Sequence, residues 1–268
     1  MYGFWLLVSA MSGKIFICAL LLLPLVVTAE PLNDWRQSAF ILNSFEQIAL
    51  KNEYRAHNGK VRKWRQPVRI WLDHRVADQA LHDQLVSLHV EDLARITGHD
   101  IQLVSQRAQA NVVLVFARYA EMAEIALKLM GQQVKGALKE ALCLAKIRTN
   151  GQQEIIAASI IIPVDQARSH GKLVSCIVEE TTQILGLVND SAEVYPSIFN
   201  DLTPNDLLTG LDYLLLKMLY DERIEAGMDA AQARRQAALL IDQFQRDGEV
   251  ERAIQEVRKG RLYELLGY

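Results

Sequence analysis

The sequence has few cysteines, no dominant sign of charge and no closely spaced histidine pair. Of three cysteines, only Cys143 and Cys176 lie beyond the first apolar segment, too few for a zinc–cysteine site. Lys and Arg number 29 against 32 Asp and Glu, a net charge of -3. Without a global basic field to hold a phosphate backbone, the composition argues against a nucleic-acid partner. The histidines are His57, His74, His82, His89, His99 and His170. His82 and His89 stand two helical turns apart and read as lining a helix surface; His170 reads as a loop residue. No phosphate loop, dinucleotide fingerprint or G-x-S-x-G motif occurs, so Ser197 has no nucleophile setting. Repeats and low-complexity tracts are also missing. What remains is 268 residues, 50% hydrophobic and 23% charged, which excludes disorder and suffices for a full core.

The chain opens with a targeting signature. Basic Lys14 precedes an uncharged run from Ile15 to Val27, and Val27-Thr28-Ala29 places small residues where signal peptidase needs them. Residues 1–29 are therefore expected to form a signal peptide cleaved after Ala29, with Met1 or Met11 as the start. The alternative is an uncleaved anchor in the inner membrane. Cys18 lies inside the apolar run with no cleavage signal before it, which argues against a lipid anchor. Export to the periplasm or beyond would expose Cys143 and Cys176 to oxidation, most simply into one bridge; the alternative is two buried thiols that never meet. No stable membrane span is expected after cleavage.

Periodicity then lays out the elements. Trp35, Ala39, Leu42, Phe45, Ile48 and Ala49 mark a helix over Asn33–Lys51, capped by Asn33 or Asp34. Lys60, Arg62, Lys63, Arg65 and Arg69 around Trp64 read as a solvated linker, although such a mixture also suits nucleic-acid or acidic-glycan contacts. Strands are expected over 67–73 and 111–116, with helices over 76–96 and 121–130. Two β-rich runs, Ala137–Arg148 and Gln153–Pro163, flank the turn dipeptide Asn150-Gly151 and place Cys143 on the first arm of a hairpin. A helix over 173–187 carries Cys176, so a bridge would pin the hairpin to it. Thr203-Pro204 reads as a cap and first helical position, and Leu207, Leu211, Leu214, Leu215, Met218 and Leu219 read as core. Helices over 229–246 and 249–259 close the chain. The order implies an α+β fold: residues 30–66 an N-terminal helix and linker, 67–228 an α+β domain, 229–268 a helical extension.

Chemistry concentrates in Glu179-Glu180-Thr181-Thr182-Gln183-Ile184-Leu185-Gly186-Leu187-Val188-Asn189-Asp190. Glu179 and Gln183 share a helix face, Gly186 allows a sharp exit, and Asn189 can fold back. This spacing resembles the metzincin pattern H-E-x-x-H-x-x-G-x-x-H, with Glu179, Gln183 and Asn189 at the three histidine places and Glu180 at the general-base place. Pro196-Ser197-Ile198-Phe199 stands where metzincins carry a methionine turn, with Phe199 in place of the methionine. The resemblance implies a zincin-like fold with a mixed sheet, an edge hairpin, an active-site-type helix and a helical C-terminal lobe. Cys176, the 179–187 run, Asn189-Asp190-Ser191, Pro196–Asp201, Leu219-Tyr220-Asp221 and Gly227-Met228 more closely resemble an uncharacterised family of exported proteobacterial proteins, domain of unknown function 2927, over about residues 35–235. That family brings no known reaction.

Glu179, Gln183 and Asn189 offer only oxygen donors of interest to a metal, whereas zinc favours imidazole or thiolate. No cofactor is therefore expected, and a divalent cation such as calcium, magnesium or manganese stands as the alternative. Glu179 and Glu180 point about 100° apart on a helix, which is poor geometry for flanking one glycosidic bond. Asn189-Asp190-Ser191 fits a glycosylation triplet incidentally. Three functions follow: a pseudo-protease whose cleft binds a peptide or envelope protein; an atypical metal-dependent hydrolase with Glu180 as base; and a structural envelope component.

Overall fold

A computed structural model describes residues 35–51, 59–139, 141–202 and 205–268. The expected signal peptide, Cys18, His57, the Asn33 or Asp34 cap and the Thr203-Pro204 cap lie outside the described residues. Helix α1 (Ser38–Phe45) runs directly into a π-turn over Glu46–Leu50. A π-turn widens the helix and shifts its side-chain register. Gln47, Ile48, Ala49 and Leu50 are consequently all buried.

The sheet is built from β1 (Lys63–Trp64), β2 (Val68–His74), β3 (Ile101–Leu103), β4 (Val112–Ala117), β5 (Leu144–Thr149) and β6 (Glu154–Pro163). Strands β3, β2, β4 and β6 lie side by side and parallel, β1 pairs in parallel with the start of β6, and β5 runs antiparallel to β6. Every residue of β4 is buried, as a central parallel strand covered on both faces requires. Its side chains alternate between two cores. Val112, Leu114 and Phe116 join the larger one, whereas Val113, Val115 and Ala117 pack with Met122, Ile125 and Met130 of α3 (Tyr119–Met130).

Helix α2 (Gln79–Thr97) packs against α5 (Leu173–Gln183) and α6 (Gly210–Tyr220). A short α4 (Val164–Ser169) joins β6 to α5. The C-terminal helices are α7 (Ala230–Arg246), α8 (Glu249–Arg258) and α9 (Arg261–Leu266). They are tied into the rest: α7 packs on α1, α8 on α6, and α9 on α2. Among the described residues, no helix is long and apolar enough to cross a membrane.

Three sequence expectations need correction. The basic 59–69 segment is no solvated linker, because Val61, Lys63 and Trp64 are buried. Trp64 belongs to the core, with Nε1 donating to Ile184 O at 2.8 Å. Lys63 can enter because its Nζ finds Asp221 O and Ile224 O, at 3.2 and 2.8 Å. The first hairpin arm begins at Leu144 rather than Ala137; residues 132–135 and 137–139 form 3-10 turns, in keeping with the low strand propensity of Gln, Lys, Gly and Ala. The hairpin loop is also longer than a two-residue Asn-Gly turn. Asn150 Oδ1 accepts from the Gln152 and Glu154 N–H groups, and Gln153, not Gly151, takes the left-handed conformation at φ 63°.

Candidate functional site

A cleft of about 1040 Å³ lies between β5 with its preceding loop, on one side, and α5 with the segment that follows it, on the other. Cys143, just before β5, is bonded to Cys176 in the first half of α5, with their Cα atoms 5.9 Å apart. The bridge therefore joins the two walls, as the hairpin-to-helix pinning requires. Strand β5 pairs with β6 alone, so its outer backbone edge carries no strand partner among the described residues.

Helix α5 presents Glu179, Glu180 and Gln183 to this cleft. Glu180 is buried and Glu179 half-buried. Behind them, the helix is braced by His89 of α2, whose Nε2 lies 3.1 Å from both Val178 O and Thr182 Oγ1. Burial lowers the His89 pKa to about 4, so the ring is neutral. The helix ends at Gln183, short of the expected Leu187, in a tightened turn where Leu185 and Gly186 N–H groups bond to Thr182 O and Gln183 O. Gly186 turns the chain at φ 121°.

The exit segment divides the remaining candidates. Asp190 reaches the cleft, and its Oδ1 accepts from Gln183 Nε2 at 2.9 Å. Asn189 is buried behind the wall, with Nδ2 donating to Gln47 O and Asp190 O and its own N–H donating to Ile48 O. Ser191 Oγ donates to Gln47 Oε1 at 2.5 Å. The π-turn thus offers the acceptors that hold Asn189-Asp190-Ser191 in place, and the third position of the metzincin spacing serves as a strut rather than a cleft group.

Ser197 and Phe199 are fully buried; only Ile198 of that turn lines the cleft. Ser197 Oγ donates to Asp212 Oδ1 at 2.5 Å, while the Ile198 and Thr209 N–H groups donate to Asp212 Oδ2 at 3.1 and 2.7 Å. Burial raises the Asp212 pKa to about 6. Asp212 thereby fastens the turn to the start of α6. Sequence reasoning missed it, although Thr209-x-x-Asp212 has capping-box spacing and marks the true helix start.

The histidines stand elsewhere. His82 and His89 do not line a helix surface; both face inward, because α2 covers the sheet with its apolar side. His82 stacks on Phe116 with ring centroids 4.3 Å apart, and neither of its ring nitrogens has a hydrogen-bond partner. His170 is exposed at the end of α4. Among the described residues, no three His, Cys, Asp or Glu side chains converge as a metal ion would require.

Among the described residues, three cations also line the cleft: Arg62, Lys146 and Lys172. Lys172 pairs with Asp206 at 3.0 Å, and Lys146 Nζ donates to Met130 O. None of these basic residues is legible as a cleft residue from the sequence, since each comes from a different part of the fold.

A family model described as "Protein of unknown function (DUF2927)" matches residues 38–238. No curated protein and no solved structure matches the chain significantly.

Proposed function

Because the chain belongs to the DUF2927 family, whose description names no reaction, we propose from the site itself that it is an exported pseudo-peptidase, periplasmic or secreted, whose cleft binds an extended peptide or an envelope protein without cleaving it. One observation carries this reading: a strand whose outer backbone edge has no strand partner among the described residues forms one wall, beside a helix whose Glu180 lines the cleft. Such an edge can accept a further strand, main-chain hydrogen bonds supplying affinity and flanking pockets selectivity. The parallel sheet, the antiparallel edge hairpin and the helix beside it support a metzincin-like fold. The donor set supports loss of the metal: the three ligand positions carry no imidazole or thiolate, and Asn189 at the third is buried as the amide partner of Gln47 O rather than turned to the cleft. Within this reading Glu179, Gln183 and Asp190 shape the cleft, and Asn189, Ser197 and Phe199 fix its frame.

A second reading, an atypical metal-dependent hydrolase, rests on Glu180 lining the cleft beside Glu179 and Gln183. There Glu180 would activate a metal-bound water. The two readings separate in one experiment. The protein, purified without chelators, is analysed for metals and assayed for both peptide binding and peptide hydrolysis, beside Glu180→Gln. Binding without turnover is expected; hydrolysis abolished in Glu180→Gln, with one bound metal per chain, would replace the first reading by the second.

A further inference from the structure

Arg62 is the one cation of its segment that the fold directs into the cleft and leaves nearly unpartnered. Its neighbours are satisfied: Lys63 by two backbone carbonyls, Arg65 by Glu154 at 3.9 Å, Arg69 by Asp100 at 2.6 Å. A guanidinium carries five N–H donors. In Arg62, Nη2 donates to Lys51 O at 3.2 Å, and Nε is buried with no partner. Among the described residues no carboxylate pairs with it. Burial lowers its pKa, which marks a desolvated cation that no anion compensates.

The position is built rather than incidental. Arg62 immediately precedes β1, whose Lys63 registers with Glu154 of β6, so its backbone is fixed by the sheet. From the other side, Gly186 packs so closely that a Cβ there would lie 2.0 Å from Arg62 O. Gln183, Ile184 and Val188 line the cleft with it. A half-buried guanidinium lining a cleft favours a planar oxyanion that can accept two parallel N–H bonds. Glu179, Glu180, Asp190 and Asp201 line the same cleft beside Lys146 and Lys172, a lining of both signs that suits a small, singly charged group better than a polyanion.

We propose that Arg62 is an anion-binding residue of the cleft and that the ligand presents one carboxylate to it, from an acidic side chain or a free C-terminus. The anion site stands on Arg62 alone; only the ligand's peptide nature rests on the proposed function.

The test uses the full protein and small probes, followed by NMR of arginine side-chain N–H groups. Acetyl-Ala-Ala-Ala with a free carboxylate, acetyl-Ala-Glu-Ala-amide, the neutral acetyl-Ala-Ala-Ala-amide, propionate and pyrophosphate are titrated separately. At least one carboxylate tripeptide is expected to bind about tenfold more tightly than the neutral amide, and which one does so identifies the carboxylate's source. Arg62→Gln should erase that preference, with Arg62→Lys restoring part of it. Equal binding of the neutral amide, a preference untouched by Arg62→Gln, tighter binding of pyrophosphate, or no Arg62-dependent response to any carboxylate would each overturn the proposal. Arg62-dependent binding of propionate without tighter binding of any tripeptide would keep the anion site and overturn the peptide reading. Thermal unfolding adds a control: Arg62→Gln should be at least as stable as the parent, whereas a lower melting temperature would make Arg62 a strut to Lys51 O and sink the proposal.

Discussion

Gly186 and Arg62 touch through their backbones: the α-carbon of the glycine faces the arginine carbonyl with no room for a side chain, since an added Cβ would sit 2.0 Å from that oxygen. Two requirements therefore coincide at one residue, a left-handed φ of 121° and a contact that only hydrogen permits. Gly186→Ala should destabilise the fold by about 3 kcal/mol or more, since strain and clash add. Urea unfolding checks this, and a change under about 1 kcal/mol would show that the turn and the 59–64 segment can separate at little cost.

The Cys143–Cys176 bridge closes a loop of 33 residues. In the chain-entropy model such a loop contributes about 3 to 4 kcal/mol. Replacing both cysteines by serine should lower unfolding stability by that order and raise hydrogen exchange in β5 more than in β4, because β5 has only one strand neighbour. Equal exchange in the two strands would refute the idea that the bridge steadies the cleft wall.

His82 and His89 make stability depend on acidity. Burial lowers both pKa values from 6.5 to about 4. The unfolded chain therefore binds these protons first, so stability is full above pH 6.5 and falls as the pH drops toward 4. Each histidine should cost roughly 2 kcal/mol at pH 5. Asp212 opposes them in part: its raised pKa, about 6, means the folded state takes up a proton between pH 6 and 3.8 and gains stability there. His82→Leu should flatten the decline, as measured by melting temperature from pH 7 to 4.5. An unchanged profile would show that His82 is not held neutral.

Asp212 accepts from Ser197, Ile198 and Thr209 while fully buried. Asp212→Ala strands all three donors and should cost on the order of 3 to 5 kcal/mol, with Asp212→Asn costing less. Ser197→Ala removes one donor and should cost about 1 kcal/mol. If the alanine variants at 197 and 212 were equally stable, the carboxylate would not be the organising group.

The sequence carried the regular elements well where pattern and burial agree. The unbroken apolar run of β4 and the Leu-rich stripe of α6 each report a local rule that the tertiary fold leaves in force, whereas Asn150-Gly151 marks where the hairpin turns but not the length of the turn. The two cysteines, one on a hairpin arm and one on the next helix, were also legible as a pin between them. Burial of the 61–64 segment was not. Four cations in six residues signal solvent, and only the carbonyls at 221 and 224, some 160 positions away, make an interior lysine affordable. Asn189 shows the same limit within the site. Spacing placed it on the helix side of the cleft, but the acceptors that capture its amide belong to a π-turn that no periodicity announces. Fixed spacing predicts which residues can meet; it does not predict which neighbour wins them.

The frame of the cleft is held by links that join early chain to late chain. Gln47 fastens Ser191 across 144 residues, Arg234 reaches Glu46 across 188, and Gln245 Nε2 donates to Arg36 O across 209. Closing loops of such length carries a larger entropic cost than closing short ones. A chain emerging from its N-terminus would hold β2 to β6 in place before the support beneath Asn189 exists, because α1 and its π-turn must wait for α7 to be made. The frame of the cleft is thus a product of completion: α1, whose π-turn holds Asn189 and Ser191, packs on α7, so a chain stopped short of α7 would carry the sheet, the disulfide and Glu180 beside a frame that lacks this last support.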